Sequence, residues 1–217
     1  MLFRSNLERA QKIAGWMSND ELIYLAQTAS KCSLIAEIGS WMGRSTCALA
    51  ENTTGTVYAI DTWAGSPETA EENVTSEQLF EQFTKNTEAL PIKAIKKTSV
   101  DAAQYLYSQG IKFDMIFIDA AHDYESVKQD ILAWKPLLKD NGIMCGHDYG
   151  AWPGVTRAVD ETIPITKVAA GFIWTTDVGS MNKMTKLLCK CKARILTWYR
   201  AKKFGNDPLK VSKRITK

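Results

Sequence analysis

The sequence predicts an α/β protein built on a doubly wound, mostly parallel sheet with helices on both faces. Three observations predict it. Short apolar runs alternate with amphipathic stretches in a βαβα order from residue 33 onward. The runs are continuously apolar rather than alternating, as strands buried on both faces are. Acids and histidines close several of these runs, at the carboxyl ends where such sheets bind ligands.

Each element has its own local reason. "SNDELIYLAQTASK" opens with Ser18 and, three positions on, Glu21, a capping-box pattern that starts a helix. "SLIAEIGS" reads as the first strand and "GRSTCALAEN" as the helix after it. "GTVYAIDTW" is a strand, "SEQLFEQFTKNTEAL" a helix, "KAIKKTSV" a weaker strand and "DAAQYLYSQG" a helix. "FDMIFIDAA" is a strand, followed by a long helix over "YESVKQDILAWKPLLKDNG" that ends at its glycine. "IMCGHDYG" is a strand and "GVTRAVDETI" a short helix. "ITKVAAGFIWTTDV" reads as two strands hinged at Gly171, which brings the strands to seven.

A chain of 217 residues with 45% hydrophobic and 24% charged residues fits one soluble domain with an appendage. No apolar run approaches the ~18 residues of a membrane span. "MLFRSNLERAQ" lacks the apolar core of a secretion signal, so the expected location is cytoplasmic. Five cysteines, an odd number without metal-site spacing, read as reduced thiols, three of them buried. Twelve of the 27 Lys and Arg, but one of the 24 Asp and Glu, fall in residues 182–217. The expected organisation is therefore a folded, acidic domain over 1–181, with an N-terminal helical cap over 1–31, and a basic tail over 182–217. The tail places Met184, Leu187, Leu188, Cys191, Ile195 and Trp198 on one helical stripe. Packing on the body or on a second copy of the chain is its first expected role, with an anionic membrane surface next and nucleic acid last.

The chain's two histidines, His122 and His147, both stand close to aspartates at the ends of apolar runs. "FIDAAHDYESV" gives Asp119 and His122; "IMCGHDYG" gives His147 and Asp148. Acids ending neighbouring buried strands repel one another unless a cation or a donor stands between them. His122 could instead cap the next helix, although Asp123 is the better cap. After the first strand, "AEIGSWMGRST" holds Glu37, Gly39 and Gly43. A dinucleotide fingerprint would need one more glycine, and an acid ahead of the turn suits a cationic ligand better than a phosphate. Asp61 closes the second strand, where a carboxylate can take ribose hydroxyls.

From about Ile35 to Ile173 the chain resembles the class I S-adenosylmethionine (SAM) methyltransferases, with "EIGSWMGRST" and "AIDTW" similar to their first two motifs. The resemblance implies a Rossmann-like sheet with an antiparallel last strand. It implies that Glu37, Gly39, Ser40, Trp41, Gly43 and Ser45 border the methionine end of SAM. Asp61 and Thr62 would meet its ribose, with Trp63, Ser99 and Val100 beside the adenine. Met17, ahead of the first capped helix, would close over the cofactor, while Trp16 there reads as a hydrophobic staple. Residues 117–150 are similar to the small metal-dependent O-methyltransferases, which include sugar, natural-product and catechol enzymes. That likeness implies a divalent cation, Mg2+ first and Mn2+ or another next, on Asp119, His147 and Asp148. It implies His122 as the proton acceptor, with Asp119 catalytic, where relatives carry Lys at this position or Asp one residue earlier. The implied reaction is O-methylation of a small hydroxylated molecule, a sugar or glycoside first. An RNA- or nitrogen-directed methyltransferase is the rival, without an N/D-P-P-Y-type motif to favour it. A non-catalytic SAM-binding or membrane-associated partner protein is the alternative outside enzymes. Tyr149, Trp152 and Arg157 are further candidates for the acceptor side, and the polar stretch 71–78 for a lid.

Overall fold

The computed structural model describes residues 5–65, 74–164 and 166–177. The basic stretch 182–217, with its expected helix, lies outside the described residues, as do residues 71–73 of the expected lid. Among the described residues, no helix is long and apolar enough to cross a membrane.

Seven strands form one sheet: β1 (Leu34–Ile38), β2 (Thr56–Asp61), β3 (Ile92–Lys96), β4 (Phe113–Ile118), β5 (Leu138–Gly146), β6 (Lys167–Ala170) and β7 (Ile173–Thr175). Their order is β3-β2-β1-β4-β5-β7-β6. The first five run parallel, and β7 is antiparallel to both neighbours. The chain reverses between β1 and β4, so the tips of β1, β2, β4 and β5 gather around the crevice where such sheets take ligands. Gly171 is the expected hinge of the last pair, with φ +49°.

Alternation along each strand divides the core. Ala36, Ile38, Ile116, Ile118 and Met144 face α5 (Ser99–Ser108), α6 (Tyr124–Trp134) and α7 (Pro153–Thr162). Ile35, Val57, Met115, Phe117 and Cys145 face α1 (Glu8–Lys12), α2 (Asn19–Ala29) and α3 (Arg44–Ala50). Such two-sided burial requires continuously apolar strands. Helix α4 (Ser76–Asn86) covers a smaller cluster of Ala59, Trp63, Leu79 and Phe83. Cys32, Cys47 and Cys145 are free and buried, as the odd count implied.

Two expectations are corrected. The helix expected to run to Gly142 ends at Trp134 and gives way to a single 3-10 turn, Lys135–Leu137. Pro136 has no N–H to continue the ladder, and its ring crowds the carbonyl of Leu132 four positions back, so the α-helical pattern stops while Lys135 itself keeps a helical backbone. The stretch 138–142, read as helix, opens β5 instead. Trp16 is no staple either: its ring lies against Trp41 at 4.6 Å and stays 40% exposed, whereas Met17 is buried with Leu22.

Candidate active site

The turn after β1 is held from three sides. Gly39 has φ +86°, and a Cβ there would lie 2.0 Å from the carbonyl oxygen of Asp119. The glycine is therefore required twice, by its backbone and by this close approach. Asp61, at the tip of β2, accepts from the amides of Ser40 at 2.9 Å, Trp41 at 2.8 Å and Trp63 at 2.8 Å. Three of its roughly four acceptor sites are thus filled by the protein, which leaves one. The left-handed backbones of Trp41 (φ +42°) and Trp63 (φ +51°) are stabilised by these bonds.

Glu37 is fully buried beneath the turn and accepts from Ser40 Oγ at 2.8 Å and from Thr46 Oγ1. Burial pushes its carboxyl up to about 7, although the hydroxyls of Ser45, Thr46 and Ser40 oppose the shift. Glu37 therefore braces the turn from below. Arg44 opens α3 but faces away: its guanidinium donates to the carbonyls of Ala10 at 3.2 Å, Ile13 at 2.6 Å and Met17 at 3.0 Å. It straps the N-terminal segment down. A turn bordered by Asp61, Glu37 and Asp119, with its arginine turned elsewhere, suits a cationic ligand.

Other expected cofactor neighbours are engaged with the protein itself. Trp63 is buried between Phe80 and Phe83, with its indole N–H donating to Trp41 O at 2.9 Å. Thr62 turns its hydroxyl to the amide of Ala64 at 3.2 Å. Ser99 starts α5 next to Val100 and accepts from Trp134 Nε1 at 2.9 Å. Gly43 caps α3 with φ +89°.

At the tips of β4 and β5, Asp119, His122 and Asp148 offer ligand atoms that all lie within 4.8 Å of one another. His122 Nε2 is 3.0 Å from Asp148 Oδ2. Its ring stacks on Trp152, with centroids 4.4 Å apart and planes 7° from parallel. Asp123 caps α6 through the Ser126 amide at 3.0 Å, so His122 does not cap the helix. Asp148 is held with φ +64°. Burial alone would raise its carboxyl, but the imidazoles of His147 and His122 outweigh that and hold it well below its ordinary value.

His147, expected among the cation ligands, faces both aspartates through one ring nitrogen but stands outside the three-residue group. Its Nε2 lies 3.0 Å from Glu21 Oε1, and its Nδ1 faces Asp148 Oδ1 at 3.4 Å and Asp119 Oδ1 at 3.6 Å. Burial alone would lower its pKa; the carboxylates of Asp148 and Asp119 hold it well above the ordinary value. Glu21 escaped notice as a site residue because its sequence signal, the capping box, is a local one. Of the acceptor-side candidates, Tyr149 turns its hydroxyl to Asp160 at 2.8 Å, and exposed Arg157 lies over the Tyr124 ring at 4.1 Å. Trp152 alone adjoins the cluster, through His122.

A family profile described as "Methyltransferase domain" matches residues 36–149. No curated protein sequence matches the chain significantly. Among solved structures, the calicheamicin methyltransferase CalS11 is similar at a TM-score of 0.55 and 16% identity, over 73% of this chain and 77% of that one. An O-methyltransferase from Bacillus cereus in complex with SAH is similar at 0.53 and 18%, over 76% and 84%. The O-methyltransferase NovP is similar at 0.53 and 18%, over 72% and 78%. These likenesses establish the shared fold.

Proposed function

This chain belongs to the methyltransferase-domain family, and from that premise we propose that it moves the methyl group of SAM to a hydroxyl of a small molecule, with a divalent cation on Asp119, His122 and Asp148. One observation carries the reading. The Gly39 turn and the three-residue cluster abut through the Asp119 backbone, so a donor on the turn and an acceptor at the cluster would be neighbours.

SAM supplies the electrophilic methyl group, and the cation, Mg2+ or Mn2+, would acidify and orient a bound hydroxyl. The chain's own residues do the rest. The turn from Gly39 to Ser45, with acids around it, would hold the cationic donor, and Asp61 would take one ribose hydroxyl with its remaining acceptor site. Two carboxylates and one imidazole form a mixed donor set that a hard cation such as Mn2+ accepts. Fixing both reactants on rigid strand tips lowers the entropic part of the barrier.

A second reading of His122 is favoured by its 3.0 Å pairing with Asp148: a proton acceptor rather than a ligand. A sugar or glycoside is the acceptor class we put first; one structure of CalS11 bears the description "TDP-rhamnose 3'-o-methyltransferase". The basic stretch 182–217 is proposed as a contact with a second copy of the chain, or secondarily with an anionic membrane surface.

Calorimetric titration with SAM, with and without Mg2+, tests the donor and the cation. Release of S-adenosylhomocysteine in the presence of nucleotide sugars and glycosides then tests the acceptor. Failure to bind SAM overturns the reading; turnover at full rate in excess chelator removes the cation from it.

A further inference from the structure

The carboxylate of Glu21 is used at both ends. Oε2 accepts from the amide and the hydroxyl of Ser18, each at 2.7 Å, and so completes the capping box of α2. A capping-box glutamate needs nothing more and can stay in water. Glu21 is instead 2% exposed, and its Oε1 receives the Phe172 amide at 2.8 Å and faces His147 Nε2 at 3.0 Å. A Cβ on Gly171 would lie 2.2 Å from that oxygen, so the β6–β7 turn closes directly onto it. Helix α2, the tip of β5 and the last hairpin therefore converge on one carboxylate.

The consequence falls on His147. With Nε2 committed to Glu21, Nδ1 is the ring's remaining polar atom, and it faces one oxygen each of Asp148 and Asp119. Asp148 keeps its other oxygen toward His122. We propose that Glu21 is a positioning residue: it locks His147 as a wedge between Asp119 and Asp148, sets the rotation of both carboxylates, and keeps this imidazole off the cation. The inference rests on the cation reading above.

The test is Mn2+ binding to the full chain without SAM or acceptor, with free Mn2+ followed by electron paramagnetic resonance. Glu21→Gln keeps the side chain's shape but turns an amide N–H2 toward a set of donors. It is expected to raise the Kd for Mn2+ about 10- to 100-fold, as loss of an outer-shell partner does. Ser18→Ala removes a cap donor without touching His147, and is expected to lower the Tm while leaving the Mn2+ Kd unchanged. His147→Asn removes the wedge from the other side and is expected to weaken Mn2+ binding comparably. The double variant is expected to be no weaker than the weaker single one, because both act through one contact. A wild-type Kd in Glu21→Gln, or in His147→Asn should the first variant not fold, overturns the inference, as do additive losses in the double variant. No Mn2+ uptake by the wild-type chain overturns the cation reading itself. Uptake by the wild type with unchanged uptake in the variants overturns only the role of Glu21.

Discussion

Gly39 and Asp119 meet backbone to backbone: a Cβ on the first would lie 2.0 Å from the carbonyl oxygen of the second. The contact joins the tip of β1 to that of β4, and with it the turn proposed for SAM to the cluster proposed for the cation. Gly39→Ala would need both a left-handed alanine and a displaced β4 tip. A left-handed non-glycine residue alone costs about 1–2 kcal/mol. Chemical denaturation is expected to show a larger loss than that, with SAM binding lost in whatever fraction folds. A variant with wild-type stability and SAM affinity would refute the contact.

The two roles open to His122 separate by measurement. As a ligand, His122→Asn weakens Mn2+ binding, and added Mn2+ restores part of the rate. As a proton acceptor it leaves the Mn2+ Kd alone and lowers kcat by about 10²–10⁴-fold at every Mn2+ concentration. Trp152→Ala, which removes the stacked partner, is expected to follow His122→Asn in sign and to be smaller. Unchanged Mn2+ binding and unchanged kcat in His122→Asn would exclude both roles.

Asp61 fastens the amides of Ser40, Trp41 and Trp63. Asp61→Asn keeps one acceptor and turns an N–H2 toward backbone donors. Leaving such groups unpaired costs about 1–3 kcal/mol. The Tm is expected to fall and the Kd for SAM to rise by more than tenfold, since Asp61 would hold both the turn and the ribose. Full SAM affinity in a destabilised variant would leave Asp61 the first role and deny it the second.

Much of the frame was legible because it is written locally. Continuous apolar runs marked the strands, and Ser18 with Glu21 marked the start of α2, as Gly171 marked the hinge. What stayed hidden depends on contacts between distant segments. A capping box says nothing about burial, so the meeting of Glu21 with His147, 126 positions away, left no trace in either segment. Trp63 was placed beside a ligand by its position after β2, whereas Phe80 and Phe83 arrive from α4 to bury it. The end of α6 was locally written, in Pro136, but the leucines at 137 and 138 prolonged the helical stripe past it.

Arg44 supplies a fourth expectation. Its guanidinium holds three carbonyls of the segment that precedes α2. Arg44→Lys keeps the charge but loses the planar fork. Hydrogen exchange in residues 8–17 is expected to quicken in Arg44→Lys, while the amides of β1 and β4 keep their protection. Uniform quickening across the sheet would mean that Arg44 supports the whole domain rather than the strap.

Asp130 yields a dependence on pH that is independent of the cluster. Its side chain is buried on α6, and burial lifts its carboxyl from 3.8 to about 6, with the Ser99 hydrogen bond opposing and Asp123 adding to the rise. Between those two values the folded chain holds a proton that the unfolded chain has released. Stability from this group is therefore full below pH 3.8 and declines as pH climbs toward 6. The raised value corresponds to a loss of about 3 kcal/mol across the window. Asp130→Asn has no proton to release and can keep a bond to Ser99, so it is expected to flatten that part of the stability profile and to be more stable than the wild type at pH 7. Urea unfolding at half-unit steps from pH 4 to pH 7 reads both slopes. Parallel profiles for the two chains would show that Asp130 titrates at its ordinary value and that its burial is relieved in solution.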